Sequence, residues 1–176
     1  MALAALTSTG CVLTSAQILA SFDLPNPFTI DATDNMERVT VDLNRISDYA
    51  DNKDKLKGLS DFAVLGTFTN TLGPAGTVTV YIDAGTTNHA NAQAVINNAT
   101  KLWGPASIGA AGSATETVTL SWDDSAALLD AAGKQIVLDE AEGDGRFTIY
   151  TVGTPGGTYN VRVDDGFLVL VLDAGL

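Results

Sequence analysis

The chain has 176 residues, of which 45% are hydrophobic, and a mean hydropathy of +0.17. This length suits one domain, and the apolar content excludes wholesale disorder because such a chain can bury a core that offsets its conformational entropy. The formal net charge of −12 argues against direct binding of nucleic acid, because an acidic surface repels phosphate groups. The single cysteine, Cys11, cannot form an internal disulfide.

The first 22 residues carry no charged side chain. A secretory signal peptide needs a positively charged start and a continuous apolar run, and here the Thr-Ser-Thr-Gly sequence at 7–10 interrupts the run. No stretch reaches the ~18–20 apolar residues of a transmembrane helix, so we predict no membrane-spanning segment. We interpret residues 1–22 as an N-terminal arm that ends in a strand at 16–22, and residues 23–176 as one β-sandwich domain.

Alternating apolar and polar side chains predict a strand at 38–43. Its inward-facing side chains are expected at three alternate positions: Val39, Val41 and Leu43. Residues 48–60 mix lysines with aspartates, which is typical of an exposed loop or a helical turn. The next two strands, 61–69 and 77–83, are separated by a loop containing glycine and proline, and we expect them to pair antiparallel.

One helix is predicted over residues 88–103, since apolar side chains recur at helical spacing and Gly104-Pro105 ends the run. Its opposite face is rich in amides and almost uncharged, whereas Glu and Lys are the commoner choice on a free surface. A solvated face is the simpler interpretation, and a partner contact is the alternative. The candidate residues for such a contact are Asn91, Asn97 and Asn98.

A strand is predicted at 115–122, and two alternatives remain open for the segment after it. Residues 123–125 can cap a short helix, or residues 126–132 can form one arm of a hairpin. A short strand at 134–139 then precedes an acidic turn at 139–145. Clustered carboxylates on flexible backbone are candidate calcium ligands, although the spacing differs from an EF-hand and an ordinary acidic turn explains it equally. The candidates are Asp139, Glu140, Glu142 and Asp144. No other cofactor is expected.

The last thirty residues predict three antiparallel strands, 146–152, 158–163 and 167–172. Residues 153–157 bridge the first pair. The Asp-Asp-Gly sequence at 164–166 bridges the second pair, because an Asp-Gly step supplies the positive φ angles of a short hairpin.

The strand at 167–172 is apolar on both faces, whereas a sandwich strand normally keeps one face in contact with water. Leaving its outward side chains uncovered would forgo roughly 1.5–3 kcal/mol each. We therefore expect the helix, the N-terminal arm or another subunit to cover them. The candidate interface residues are Phe167, Val169 and Val171.

No constellation of residues predicts catalysis. Nucleophilic catalysis usually needs a histidine base, and the chain has one histidine, His89, at the start of the predicted helix without a recognisable nucleophile motif. The two glycine-rich motifs that bind phosphate groups, G-x-x-x-x-G-K-[ST] and G-x-G-x-x-G, are both absent from the sequence. One cysteine and one histidine cannot supply the four ligands of a zinc site. We predict that the protein is not an enzyme and that it has no catalytic residues.

Eight or nine strands, turn signals at near-regular spacing and one main helix predict a mainly β fold, an antiparallel β-sandwich or single jelly-roll barrel. With its uncharged arm and its Thr/Gly/Ala-rich, Lys-poor composition, the chain resembles virion structural proteins. In size and strand pattern it is similar to the single-β-barrel capsid proteins of tailless icosahedral viruses with an internal membrane. This resemblance spans the chain and rests on architecture and composition without a diagnostic motif.

The resemblance implies a shell-forming capsid subunit, located in the virion, that contacts copies of itself and other capsid proteins barrel to barrel. Two alternatives stay open: a decoration or cement protein of a tailed phage, and a secreted carbohydrate-binding β-sandwich. Carbohydrate-binding modules tend to expose several aromatic side chains on one face. This chain has 12 aromatic residues, most of them within predicted strands.

Overall fold

The computed structural model describes residues 15–23, 28–30, 36–153 and 160–175, and residues 1–14 of the predicted arm lie outside this description. The described strands are β1 (Ser15–Asp23), β2 (Phe28–Ile30), β3 (Met36–Asp42), β4 (Leu56–Leu72), β5 (Gly76–Ala84), β6 (Thr100–Ile108), β7 (Thr117–Leu120), β8 (Arg146–Gly153) and β9 (Asn160–Gly175). The described helices are α1 (Ser47–Asn52), α2 (Ala92–Asn98), α3 (Trp122–Ala126) and α4 (Ala131–Glu142).

The strands form two antiparallel sheets. The first sheet has the order β1-β9-β4-β7, and the second has the order β3-β8-β5-β6. Strands β1 and β2 pair with successive parts of β9, so they share one edge position of the first sheet. If β1 and β2 are counted together as the first strand and the other described strands are numbered 2 to 8 along the chain, the order is 1-8-3-6 in the first sheet and 2-7-4-5 in the second. This is the order of a jelly roll. The predicted fold class, a mainly β antiparallel sandwich of about eight strands, is confirmed.

The core lies between the two sheets, where their apolar inner faces meet. Of the three side chains predicted to point inward, Val41 and Leu43 are buried and Val39 is half-buried. The predicted strand at 16–22 is confirmed as β1. The segment 48–60, predicted to be a loop or helical turn, forms α1 and a 3-10 turn (Lys53–Lys55), but its last part already belongs to β4.

The prediction that residues 61–69 and 77–83 pair with each other is wrong. β4 lies between β9 and β7, whereas β5 lies between β8 and β6 in the other sheet. Val64 and Phe68 of β4 instead meet Val78 and Val80 of β5 across the core, where these apolar side chains are removed from water. Asn70, itself buried, fixes the crossover by donating to the carbonyls of Pro74 (2.7 Å) and Gly109 (2.9 Å).

The predicted three-strand C-terminal meander is also wrong. β8 lies in the second sheet, and the two later strands are one continuous strand, β9, in the first sheet. The Asp-Asp-Gly sequence at 164–166 forms a bulge instead of a turn: Leu65 pairs with Phe167, but Thr67 pairs with Asp164, which leaves one extra residue on β9. Asp165 adopts φ 51° in this bulge. Residues 154–157 of the first predicted turn lie outside the described residues.

The bulge has a clear consequence for the two faces of β9. Because one residue is added, the parity of the inward positions changes along the strand. Odd-numbered Val161 and Val163 point into the core before the bulge. Even-numbered Leu168, Leu170 and Leu172 do so after it. Phe167, Val169 and Val171 are therefore left on the outer face of the first sheet.

The predicted helix at 88–103 is too long, and it is one of four described helices rather than the main one. α2 covers only its middle, with Asn91 as the N-cap, and Ala99 is already extended (ψ 157°). Residues from Thr100 onward pair with β5 as strand β6. Leu102 and Trp103 are core residues of that strand, so sheet pairing overrides the local helical spacing.

The predicted strand at 134–139 is wrong, because these residues lie within α4. Asp130 caps this helix by accepting from the Ala132 N–H (3.0 Å). Its buried positions, Gly133, Val137 and Ala141, are four residues apart and face strands of both sheets. Of the two alternatives for the preceding segment, the short helix is found as α3, with a capping box between Ser121 and Asp124.

Candidate functional site

The outer face of the first sheet carries the β9 side chains that the sequence singles out as interface candidates. Phe167 is 38% exposed, Val171 is half-buried and Val169 is buried at 6%. Val169 lies between Ala63 on β4 and Ser21 on β1 in the register of the sheet, and its burial leaves it little surface for a partner. Phe167 and Val171 remain open to a partner.

Two apolar side chains that the sequence does not single out extend this surface. Leu19 on edge strand β1 pairs with Val171 and is 64% exposed, the highest value among the large apolar side chains of the described residues. Leu65 on β4 pairs with Phe167 and is half-buried. Register partners project to the same face of a sheet. Leu19 with Val171, and Leu65 with Phe167, therefore lie on the same outer face of the sheet, and we call these four side chains the apolar outer patch.

Polar groups surround the apolar outer patch. Along β4 and β7, threonine hydroxyls pair in a ladder, Thr67 with Thr119 (3.2 Å) and Thr69 with Thr117 (3.1 Å). Next to Val171, its register partner Asp61 accepts a hydrogen bond from the indole N–H of Trp122 (3.0 Å). An apolar centre with a polar rim is the usual anatomy of a protein–protein contact.

A helix, α2, lies against the outer face of the second sheet. Ala92 and Val95 of α2 pack on Tyr150 and Val152 of β8 in a small second core. The interface candidates Asn91, Asn97 and Asn98 lie on this helix, so they are on the opposite side of the sandwich from Phe167. All three are exposed.

These three asparagine side chains make local hydrogen bonds. Asn91 accepts from the Ala94 N–H (2.9 Å) as the N-cap, and Asn98 donates to the Ala94 carbonyl (2.7 Å). Asn97 accepts from Gln93 (2.9 Å). The amides therefore have a structural role in α2, and their role in a partner contact stays a prediction.

A cleft of about 510 Å³ opens between the edges of β1 and β3. Its lining residues are Ser21, Thr40, Asp42, Arg45, Ile46, Thr86 and Arg146. The Asp42 carboxylate lies 3.8 Å from Arg45 Nε and 3.4 Å from Arg146 Nε. Asn44 donates a side-chain hydrogen bond to Asp42 and, with the nearby charge of Arg146, holds the pKa of this carboxyl below its ordinary value. We call this surface the arginine cleft.

A second cleft of about 540 Å³ lies on the opposite side, between the edges of β6 and β7 and beside α3. Its floor includes Ala106, Val118, Leu120 and Leu128, and its rim carries the exposed carboxylates of Asp123 and Asp124. We call this surface the acidic-rimmed cleft. The residues of the arginine cleft come from distant parts of the chain, so sequence spacing carries no signal for it.

His89 lies in a local cluster on the second sheet. Its Nε2 is 2.5 Å from Asp83 Oδ2, and its ring centroid is 5.3 Å from that of Tyr150. The Tyr150 hydroxyl donates to the Thr87 carbonyl, and burial raises the pKa of this phenol. These contacts hold the segment between β5 and α2 against β8.

The calcium candidates lie at the C-terminal end of α4. Asp139, Glu140 and Glu142 belong to the helix, and Asp144 follows it. Burial, with a smaller contribution from Asp144, raises the pKa of the Glu140 carboxyl. Asp139 accepts from Gln135 (2.7 Å). Across the described ranges, no three His, Cys, Asp or Glu side chains are grouped as a metal site would require, so calcium binding gains no support here.

Comparisons with known proteins give little further information. No protein-family model matches the chain, and a search of curated proteins finds no match. A solved structure from Desmodium yellow mottle tymovirus aligns over 92% of this chain and 90% of that chain, with 12% identity and a TM-score of 0.26. A likeness at this TM-score carries no argument about this chain. No helix in the described part of the chain has the length and apolar content needed to cross a membrane.

Proposed function

We propose that this chain is a virion structural protein, a shell-forming capsid subunit that associates with copies of itself through contacts between sandwich domains. The observation that carries the proposal is the apolar outer patch, in which the Leu19 and Phe167 side chains are exposed on an otherwise acidic molecule. Jelly rolls occur in viral capsid domains, and also in lectins and cupins, so the fold is compatible with this function without proving it.

The size of the patch agrees with a repeated, individually weak contact. Full burial of a large apolar side chain contributes roughly 1.5–3 kcal/mol. Scaled by the exposed fractions of Leu19 (64%) and Phe167 (38%), burial of these two side chains contributes about 1.5–3 kcal/mol per contact. One such contact is too weak to hold two subunits, but a shell repeats it around every subunit.

The test is the assembly state of the purified chain. Sedimentation velocity and electron microscopy at increasing protein concentration should show multi-subunit particles. Leu19→Asp and Phe167→Asp should each shift the protein toward monomer, because a carboxylate then has to be desolvated in the contact. Leu72→Asp is the matched control, since Leu72 is 56% exposed but lies at the far end of β4, away from the patch.

Two outcomes would contradict the proposal. A wild-type chain that stays monomeric and binds glycans would favour the carbohydrate-binding alternative. Equal loss of assembly in the Leu72→Asp control would show that any added charge disrupts association, so that the patch has no special role.

A further inference from the structure

We propose that copies of this chain associate head to tail, with the arginine cleft of one copy receiving the acidic rim of the next copy's opposite side. This inference rests on the proposed function and specifies its contact. It starts from the two sides of the sandwich, each formed by one edge strand from each sheet. β1 and β3 flank the arginine cleft, and β7 and β6 flank the acidic-rimmed cleft.

The arginine cleft concentrates arginine side chains on a chain with a net charge of −12, and the Asp144 carboxylate lies next to it, where it accepts from the Arg146 backbone N–H (2.8 Å). Two of the four arginines of the chain line it, against one carboxylate. Both arginine side chains are accessible, Arg45 at 86% and Arg146 at 54%. Their Nε atoms face Asp42, and a guanidinium has five N–H donors, so the terminal nitrogens are placed to take a second carboxylate.

The acidic-rimmed cleft supplies that carboxylate. Asp124 is engaged locally, because Ser121 donates its hydroxyl to it (2.6 Å) and the two residues form the capping box of α3. Asp123 is exposed beside it and lies outside that box. The apolar floor of the cleft also favours the contact, because its burial against the next copy removes apolar surface from water. Asp123 is therefore the residue best placed to reach Arg45 of the next copy.

Electrostatics favours this orientation over the others. Two copies that each carry a charge of −12 repel each other in most relative orientations, and like charges brought together at an interface disfavour wrong pairings. Contact between the basic side of one copy and the acidic side of the next avoids that repulsion. Because the two surfaces differ, the contact is heterologous and propagates into rings or larger assemblies instead of stopping at a dimer.

The arginine cleft adjoins the apolar outer patch, and α3, which contributes residues to the acidic-rimmed cleft, approaches the patch from the other edge of the sheet. Ser21, two residues from Leu19 on β1, lines the arginine cleft. At the other edge of the same sheet, Trp122 of α3 bonds to Asp61, the register partner of Val171. A head-to-tail contact can therefore bury the margins of the patch together with the two charged surfaces.

Charge reversal with complementation tests the contact. Arg45→Glu and Asp123→Lys should each lower the association constant by about tenfold or more at low salt. An equimolar mixture of the two variants should recover association, because each variant then meets an oppositely charged side on the other. Arg162→Glu and Asp139→Lys are the matched controls, since they make the same charge changes at exposed positions on β9 and α4.

The outcomes separate this inference from the proposed function. Wild-type assembly with unaffected variants, or a mixture that does not recover, would overturn the head-to-tail contact and leave the capsid proposal standing. A wild-type chain that never associates would overturn both. Circular dichroism checks the fold of each variant, and the milder Arg45→Gln and Asp123→Asn, with a smaller loss expected, replace any reversal that does not fold.

Discussion

Ser125→Ala should destabilise the fold, because the Ser125 hydroxyl replaces a missing strand partner. β7 pairs with β4 from Gly66 to Thr69 only, and beyond that the Val64 N–H donates to Ser125 Oγ (2.6 Å). Ser125 is 0% exposed and Val64 is 4% exposed, so no water takes over when the hydroxyl is removed. A buried N–H left without an acceptor destabilises by about 1–3 kcal/mol. For a chain of this length, that corresponds to a decrease in Tm of about 2–12 °C.

Urea unfolding followed by tryptophan fluorescence measures this change. Trp103 is a direct reporter, because its indole N–H donates to the Ser125 carbonyl (2.6 Å) and its side chain is fully buried. Ser107→Ala, at an exposed position on β6, is the control and should change the free energy of unfolding by less than about 0.5 kcal/mol. Equal unfolding free energies for the two variants would refute the role given to the Ser125 hydroxyl.

Two further predictions concern α4. Gly133→Ala should lower the free energy of unfolding by about 1–3 kcal/mol, since the new Cβ would lie 2.4 Å from the Lys101 carbonyl oxygen and 2.5 Å from Leu102 Cα; a gain in stability, normal for glycine to alanine in a helix, would contradict this packing. The raised pKa of Glu140 means that its ionised form is disfavoured in the folded state, so wild-type stability should fall as pH rises through that pKa. Thermal unfolding between about pH 4 and 7 measures this fall in stability. Glu140→Gln should make the fall smaller, whereas Glu142→Gln, at an exposed position, should leave it unchanged. Equal pH profiles for the two variants would contradict the role given to Glu140.

The sequence predicts most elements whose pattern is decided locally. Alternation in β3 and β7, the apolar run of β1, and the strand-forming sequences of β5 and β8 indicate strands at the correct places. One of the two alternatives after β7, a short helix, is found, although its N-cap is Ser121 and not one of residues 123–125. These patterns reflect one buried and one exposed face, which a single segment displays by itself. Fold class follows from the number of such segments.

Errors arise where distant partners decide the structure. The Asp-Asp-Gly sequence is typical of a hairpin turn, but β4 runs alongside it, and Gly66 with φ +144° allows close approach to Gly166. Ile136, Val137 and Leu138 favour a strand by propensity, although the spacing of Gly133, Val137 and Ala141 is an available helical signal. Leu102 and Trp103 fit helical spacing, and pairing with β5 overrides it.

The candidate site is predictable only in part. Two-sided apolarity identifies β9 correctly, but the bulge that places Phe167 and Val171 on the outer face depends on β4. Leu19 joins them through its register with Val171, which no sequence pattern specifies. Arg45 and Arg146 meet at Asp42 although they are far apart in the chain, so the arginine cleft becomes visible only in the folded molecule.

The central claim is that copies of this chain build a shell, and the mass distribution of the purified 176-residue chain tests it most directly. Sedimentation velocity across a range of protein concentrations should show a discrete population of large particles in equilibrium with the 18.2 kDa monomer, as expected for a subunit with an apolar patch and complementary sides. A mass that remains at 18.2 kDa across the whole range would contradict the account.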